Sequence, residues 1–309
     1  MTDAEIRTII KNVDAGKLEA HVRYLAEDPL PRRTLNFTLP GHEKCTLHEA
    51  DDYIAAQLAS WGYSVEREGV QVQAFRRDRA KPKASQYSPP LPEDPWYIAY
   101  NLYAKKAGTQ RPEDIIVVVS HKDSQSWCAS PGANDNAIGT AANMELARVL
   151  ADTPIACSVW FLYCNEEHWP WTSVNAAQGA KERGENLIAI FNLDGLGRKS
   201  YADTRAGRMK NVTLFTTPEG ERIADLIAEV NERFNLGLEQ SKYQRPAPGD
   251  DDGSFVKAGY PAAVANIGSY PYADPCYHCE CDVPDNCDFE NAALTTQAIL
   301  ATMLVLCRG

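Results

Sequence analysis

The chain has 309 residues, 44% hydrophobic and 24% charged, an ordinary globular composition with enough length for a large buried core. Its formal net charge of −11 leaves no basic footprint of the kind nucleic-acid binding needs, and it fits a soluble protein. The opening residues MTDAEIRTIIKN lack the basic start and apolar stretch of a secretory signal, and no apolar run reads as long enough to cross a bilayer. A cytoplasmic protein with neither membrane nor nucleic acid as partner is expected.

Residues 3–28 read as two short helices, with Ile6, Ile9 and Ile10, then Leu18, Val22 and Leu25, recurring at three and four. Thr46 to Trp61 reads as a capped helix ended by Gly62. Residues 64–74 alternate like a strand. Residues 76–96 are basic and then proline-rich, and read as an irregular excursion loop. From residue 97 the pattern becomes α/β. Ile115–Val119 is a continuous β-branched run, as expected of a strand buried on both faces. Helix is expected over 136–150, 218–230 and 291–306. Strand is expected over 158–163, 187–193 and 262–266, with 212–215 as a further candidate. The alternation predicts one α/β domain over residues 1–309, a three-layer sandwich with a mostly parallel sheet and helices on both faces.

In such sheets ligands bind at the carboxyl ends of the strands. His121 directly follows the first buried strand, Glu166 and Glu167 the second, and Asp194 the third. Three strands thus deliver metal-binding residue types to one end of the sheet. Asp135, on the turn PGAND, and His278 complete a set of two imidazoles and three carboxylates, which suits two zinc ions. Asp135 is the natural bridging ligand, because Gly132 and Ala133 let the backbone approach closely. Glu166 is left free to move protons as a general base. Asp123 lies two residues past His121 in extended chain, so it projects the same way and can orient the imidazole. Manganese or cobalt would also suit this donor set.

An odd count of nine cysteines without a signal segment argues against a disulfide framework. Cys276, Cys279, Cys281 and Cys287 cluster around His278. They read as a thiolate metal site, as one disulfide, or as free thiols.

The local contexts SHKDS (120–124), PGANDNAIG (131–139), NEE (165–167), FNLDG (191–195) and YHCECD (277–282) resemble those of the dizinc exopeptidases. That family is typified by aminopeptidase Y and the bacterial leucyl and Streptomyces-type aminopeptidases; the transferrin receptor and glutaminyl cyclases are relatives. The resemblance covers residues 46–306. It implies a zinc-exopeptidase-like fold in which His121 and Asp194 bind one zinc, Glu167 and His278 the other, and Asp135 bridges. It implies Glu166 as general base, Tyr277 as a stabiliser of the oxyanion, and a cis peptide after Asp135. The implied reaction is removal of the N-terminal residue from a peptide or aminoacyl-amide, by attack of a hydroxide bridging the metals. Cys276 and Cys281 match a disulfide of some secreted relatives; in the cytoplasm the pair is expected to be reduced. The chain departs from the family pattern at HWPWTS (168–173), where His168, Trp169 and Trp171 either shape a substrate pocket or pack against the core. It departs again at Asp250–Asp252, which either attract a substrate amino group or form an exposed acidic loop. A glutaminyl-cyclase-like acyl transferase and a metal-free binding module are the alternatives.

Overall fold

The structure is a computed structural model that describes residues 1–78, 80–81, 87–270 and 273–308. Three helices come first: α1 (Asp3–Ile10), α2 (Ala15–Ala26) and α3 (Thr46–Ser60). The chain then forms β1 (Val65–Ala74), a short pair β2 (Arg76–Arg77) and β3 (Tyr87–Ser88), β4 (Trp96–Lys106) and β5 (Arg111–His121). A wide turn at Ala133–Ala137 leads into α4 (Ile138–Leu150). Next come β6 (Cys157–Cys164), β7 (His168–Trp169), α5 (Thr172–Glu182), β8 (Asn186–Leu193), α6 (Tyr201–Arg205) and β9 (Lys210–Phe215). The chain ends with α7 (Pro218–Phe234), β10 (Glu239–Gln244), α8 (Asp250–Lys257), β11 (Ala263–Ile267) and α9 (Phe289–Leu306).

Local chemistry sets many of these ends. Thr2 and Glu5 cap each other's backbone N–H groups at the start of α1. Thr217 accepts from Gly220 N–H at 3.0 Å beside Pro218, and Asn235 closes α7 in the left-handed region. Asp288 accepts from Asn291 N–H at 3.0 Å where α9 begins.

Nine strands form one sheet in the order β10-β9-β11-β8-β5-β6-β4-β1-β7. The expectation of a mostly parallel sheet is corrected. The β1–β4, β1–β7, β4–β6 and β9–β11 pairings are antiparallel, and the parallel ladder is confined to the centre and to β9–β10. The parallel core β11-β8-β5-β6 carries the buried β-branched runs, whereas β4 and β1 join it as antiparallel additions. The excursion loop is narrower than residues 76–96 suggest: it includes the β2–β3 pair, and β4 already starts at Trp96. Residues 79 and 82–86 of that loop lie outside the described residues.

Alternate residues of the central strands feed two cores. Ile116, Val118, Phe161, Tyr163 and Phe191 pack with residues of α2, α4, α7 and α9. Ile115, Val117, Val119, Leu162 and Ile190 pack with Ala176, Ala177, Ala180 and Phe255 of α5 and α8. Burying each such side chain contributes about 1.5–3 kcal/mol. The expectation that no apolar run could span a bilayer is also corrected. α9, with a mean hydropathy of 1.3 over 18 residues, is long and apolar enough. Its apolarity extends around the helix because α1, α2, α4 and α7 cover it, and 67% of it is buried.

Candidate metal centre

β5 lies between β6 and β8, so the chain departs to opposite sides of it and a crevice opens at their carboxyl ends. In register, His121 pairs with Cys164 of β6, and Val119 pairs with Asn192 of β8. His121, the Glu166–Glu167 pair and Asp194 therefore emerge together. The Asp135 turn and His278 close over them.

The candidate ligands form two trios. His121 Nε2 lies 3.3 Å from Asp135 Oδ1 and 3.5 Å from Asp194 Oδ1. His278 Nε2 lies 3.0 Å from Asp135 Oδ2 and 3.3 Å from Glu167 Oε1. Asp135 thus offers one oxygen to each trio. Asp135 Oδ2, Glu167 Oε2 and His278 Nε2 are buried, yet none has a hydrogen-bond partner among the described residues. Atoms so close and so unpaired converge on common points rather than on one another. Two imidazoles and three carboxylates fit two divalent cations there.

Without cations, protons take their place. Burial opposes charge on His278, but Glu167 and Asp135 outweigh it and raise the imidazole to about 10. Burial likewise opposes charge on His121, and Asp123, Asp135 and Asp194 raise it well above its ordinary value. Burial drives Glu166 far up, reinforced by Asp251 and Asp250. Bound cations reverse this logic and favour the ionised carboxylates.

Asp123 is fully buried and organises one wall. Its Oδ1 faces His121 Nδ1 at 3.3 Å and accepts from Glu166 N–H at 3.0 Å. Its Oδ2 accepts from Glu167 N–H and from His168 Nδ1, both at 2.8 Å. His168 Nε2 accepts from Leu35 N–H at 3.3 Å, so the ring carries its proton on Nδ1. His168 is therefore a buried structural group rather than part of a substrate pocket. Trp169 is about half exposed and Trp171 is half-buried.

The Asp135 turn is held from three sides. Asp282 Oδ1 accepts from Asn134 N–H at 2.8 Å and its Oδ2 from Asp135 N–H at 3.0 Å. Asn136 Nδ2 donates to Leu193 O at 2.8 Å, tying the turn to β8. The fully buried Arg33 donates to Lys122 O at 2.6 Å and to Pro131 O and Gly132 O at 2.8 Å each. Gly132 has φ +65°, and a Cβ there would lie 2.5 Å from Asp135 O. The Asp135–Asn136 peptide is cis. Lys122, next to His121, forms a fully buried ion pair with Asp51 of α3 at 2.8 Å and donates to Asn165 Oδ1 at 2.7 Å. Sequence reasoning assigned no role to Asp282, Arg33, Lys122 or Asp51. Only Asp282 carried a signal, as the last residue of YHCECD.

Cys276 and Cys281 are disulfide-bonded, which selects one of the three readings of that cluster; Cys279 and Cys287 are free. A second disulfide, Cys157–Cys307, joins β6 to the end of α9, so the argument against disulfides from an odd count fails here. His278 lies between the bonded pair with φ +54°. The Tyr277 ring stacks on it with centroids 3.7 Å apart, and Trp127 meets it edge-on at 5.7 Å. The exposed-loop reading of Asp250–Asp252 is overturned. They open α8, Asp251 and Asp252 are fully buried, and Arg245 pairs with Asp250 and Asp252.

Residues 101–303 match the sequence model of Peptidase family M28. A probable zinc metalloprotease of Pyrenophora teres f. teres is 26% identical over 298 residues, covering 84% of this chain; the chain spans only 58% of that protein's length. A probable aminopeptidase of Saccharomyces cerevisiae is 22% identical over 309 residues, covering 96% of this chain and 74% of its own. Among solved structures, an aminopeptidase from Aneurinibacillus sp. strain AM-1 superposes with a TM-score of 0.70 at 19% identity, covering 96% of this chain and 95% of that one. The glutaminyl cyclase of Bacteroides thetaiotaomicron bound to N-acetylhistamine gives 0.70 at 15% identity, covering 94% and 98%. At such identities these structural likenesses are likenesses of fold.

Proposed function

The chain belongs to peptidase family M28, and from that premise we propose that it is a zinc-dependent aminopeptidase that hydrolyses the N-terminal bond of a peptide or aminoacyl-amide. The observation that carries the reading is the Asp135 carboxylate, whose two oxygens face two separate histidine–carboxylate groups. His121, Asp135 and Asp194 would hold one zinc ion, and Asp135, Glu167 and His278 a second. When bound, the ions would supply Lewis acidity, polarising the scissile carbonyl and acidifying a water.

The chain's own groups do the rest. Glu166 Oε2 is buried without a hydrogen-bond partner among the described residues, which suits an acceptor awaiting a proton. It takes the proton of the attacking water and delivers it to the leaving nitrogen as the C–N bond breaks. Asp123 holds His121 and the backbone of both glutamates, so base and ligands keep one geometry. Tyr277, stacked on His278, donates a hydrogen bond from its hydroxyl to the oxyanion that develops on the carbonyl oxygen.

Metal content and turnover of aminoacyl-nitroanilides, measured for the wild type and Glu166→Gln, test this reading. Two zincs per chain are expected in both, with turnover only in the wild type. A fully loaded wild type that cleaves no aminoacyl-amide would overturn it. A cytoplasmic location is a separate proposal, and the two disulfides weigh against it. Alkylation of thiols in intact cells tests it: reduced Cys276 and Cys281 support the cytoplasm, and an oxidised pair in a secreted fraction rules it out.

A further inference from the structure

A small cavity opens beside the first ligand trio, and its wall is polar. It runs from Asp194 past Asn134, Arg198, Ser269, Asp274 and Tyr277. Arg198 is only 6% exposed, with its Nε 3.0 Å from Asp274 Oδ1. A side chain at Gly268 would collide with the Arg198 carbonyl, so the segment carrying Arg198 is seated against the end of β11.

Of the acceptors lining this cavity, Asp135 and Asp194 are candidate metal ligands, and those outside the centre are already engaged. Asp274 Oδ1 accepts from Cys276 N–H at 2.8 Å, and its Oδ2 accepts from Asn134 Nδ2 at 3.1 Å. Asn134 Oδ1 accepts from Gly197 N–H at 2.9 Å. Ser269 Oγ accepts from Ala273 N–H at 3.1 Å, which leaves its hydroxyl proton to give. Arg198 Nη1 is buried with no hydrogen-bond partner among the described residues. A guanidinium can only donate. Outside the candidate metal ligands, the hydrogen-bonding capacity left by these groups is therefore donor capacity, from Arg198 Nη1 and Ser269 Oγ.

We propose that this cavity receives the side chain of the substrate's first residue and selects a short one ending in a hydrogen-bond acceptor, a carboxylate or carboxamide, with Arg198 as the specificity-determining residue. The proposal rests on the aminopeptidase reading of the adjoining centre. An apolar side chain would leave the buried Arg198 N–H groups without a partner, whereas an acceptor satisfies them. The cavity holds ≈ 20 Å³, little more than the roughly 10–15 Å³ that one water requires, so it suits the tip of a short chain and not an aromatic ring.

The test is kcat/KM of the zinc-loaded full chain on the 4-nitroanilides of Glu, Asp, Gln, Asn, Leu, Phe and Lys. Acceptor-tipped substrates should exceed Leu by about ten-fold or more, because a site built to hydrogen-bond its substrate rejects analogues that lack the group. The Glu-to-Gln ratio tells carboxylate from carboxamide. Arg198→Met should remove that preference, so that the ratio of acceptor-tipped to Leu turnover falls toward one. That variant strands Asp274 and can fail to fold, so Ser269→Ala is the second; it should lower the same preference by a smaller factor. A wild type that prefers Leu or Phe overturns the inference and leaves the aminopeptidase reading standing. If no amide is cleaved, that reading falls, and calorimetry with free L-glutamate, L-glutamine and L-leucine decides the inference. Tighter binding of the first two, weakened in both variants, supports it; equal binding of all three sinks it.

Discussion

The two halves of the candidate centre are built by different means. His121 and Asp194 leave the carboxyl ends of adjacent parallel strands, and the ladder between β5 and β8 sets their spacing. His278 belongs to no strand or helix. It sits in a left-handed turn between two disulfide-bonded cysteines, backed by the Tyr277 and Trp127 rings. A ladder-held ligand shares its position with a whole sheet of backbone hydrogen bonds, and no single side chain outside the centre controls it. A loop-held ligand depends on a few contacts, each of which one substitution can remove. Asp135 spans both halves and lies on neither strand; its turn is held through Asp282 and Arg33 and, through Asn136, from the end of β8.

The largest expected effect erases the distinction. Asp135→Ala removes a ligand from both trios, so metal content by atomic absorption should fall below one ion per chain and hydrolysis should vanish. Retention of one tightly held ion would show that the halves are independent. Glu166→Gln should lower kcat by about 10²–10⁴-fold while both ions stay bound; loss of metal in that variant would make Glu166 a ligand. Asp123→Asn should weaken zinc in the His121 half by about 10–100-fold, since the imidazole loses its orienting partner. Competition with a chelator, read as one weak and one strong site, checks this.

A pH series sharpens the comparison in the metal-free protein. His278 is raised to about 10 in the fold, well above its unfolded value. Its proton therefore contributes stability that is fully present below about pH 6.5 and lost as pH rises through about 10. Chelated protein should lose thermal stability between pH 7 and 10. Zinc-loaded protein should not, and zinc affinity should rise with pH because each imidazole must give up a proton. A flat profile for the chelated protein contradicts the packing of Glu167 and Asp135 against His278. The smallest effect belongs to the loop alone: Cys281→Ser should loosen zinc at the His278 half and leave the His121 half unchanged, as cobalt substitution followed by absorption spectroscopy would report.

Much of this was legible in the chain. Ile115–Val119 and its counterparts announce buried strands, and the polar residues directly after them announce the centre, because a strand's end and the crevice above it are local consequences of where an apolar run stops. The resemblance of PGAND and YHCECD to known motifs pointed to Asp135 and His278. The readings of Asp250–Asp252 and His168 were left open or went wrong for one reason. Charged and imidazole groups are ordinarily at the surface, and only partners remote in sequence make their burial tolerable. His168 is buried because Asp123 and Leu35 satisfy both ring nitrogens, and Asp252 because Arg245 reaches it.

The sequence by itself located β1, β5, β6, β8, β9 and β11, the helices α1 to α4, α7 and α9, the five candidate ligands and the glutamate beside them; it left β4, β10, α5 and α8 unassigned. These depend on residue types and on spacings of a few positions. The tertiary structure alone decided that half the pairings in the main sheet are antiparallel, that Arg33 and Asp282 hold the Asp135 turn, and that Arg198 lines a cavity with its Nη1 unpaired among the described residues. Pairing direction depends on which edges are left free once the parallel core has formed. The Arg33 guanidinium reaches the carbonyls of Lys122, Pro131 and Gly132 across 89 to 99 residues, a distance over which neither periodicity nor local motif carries information.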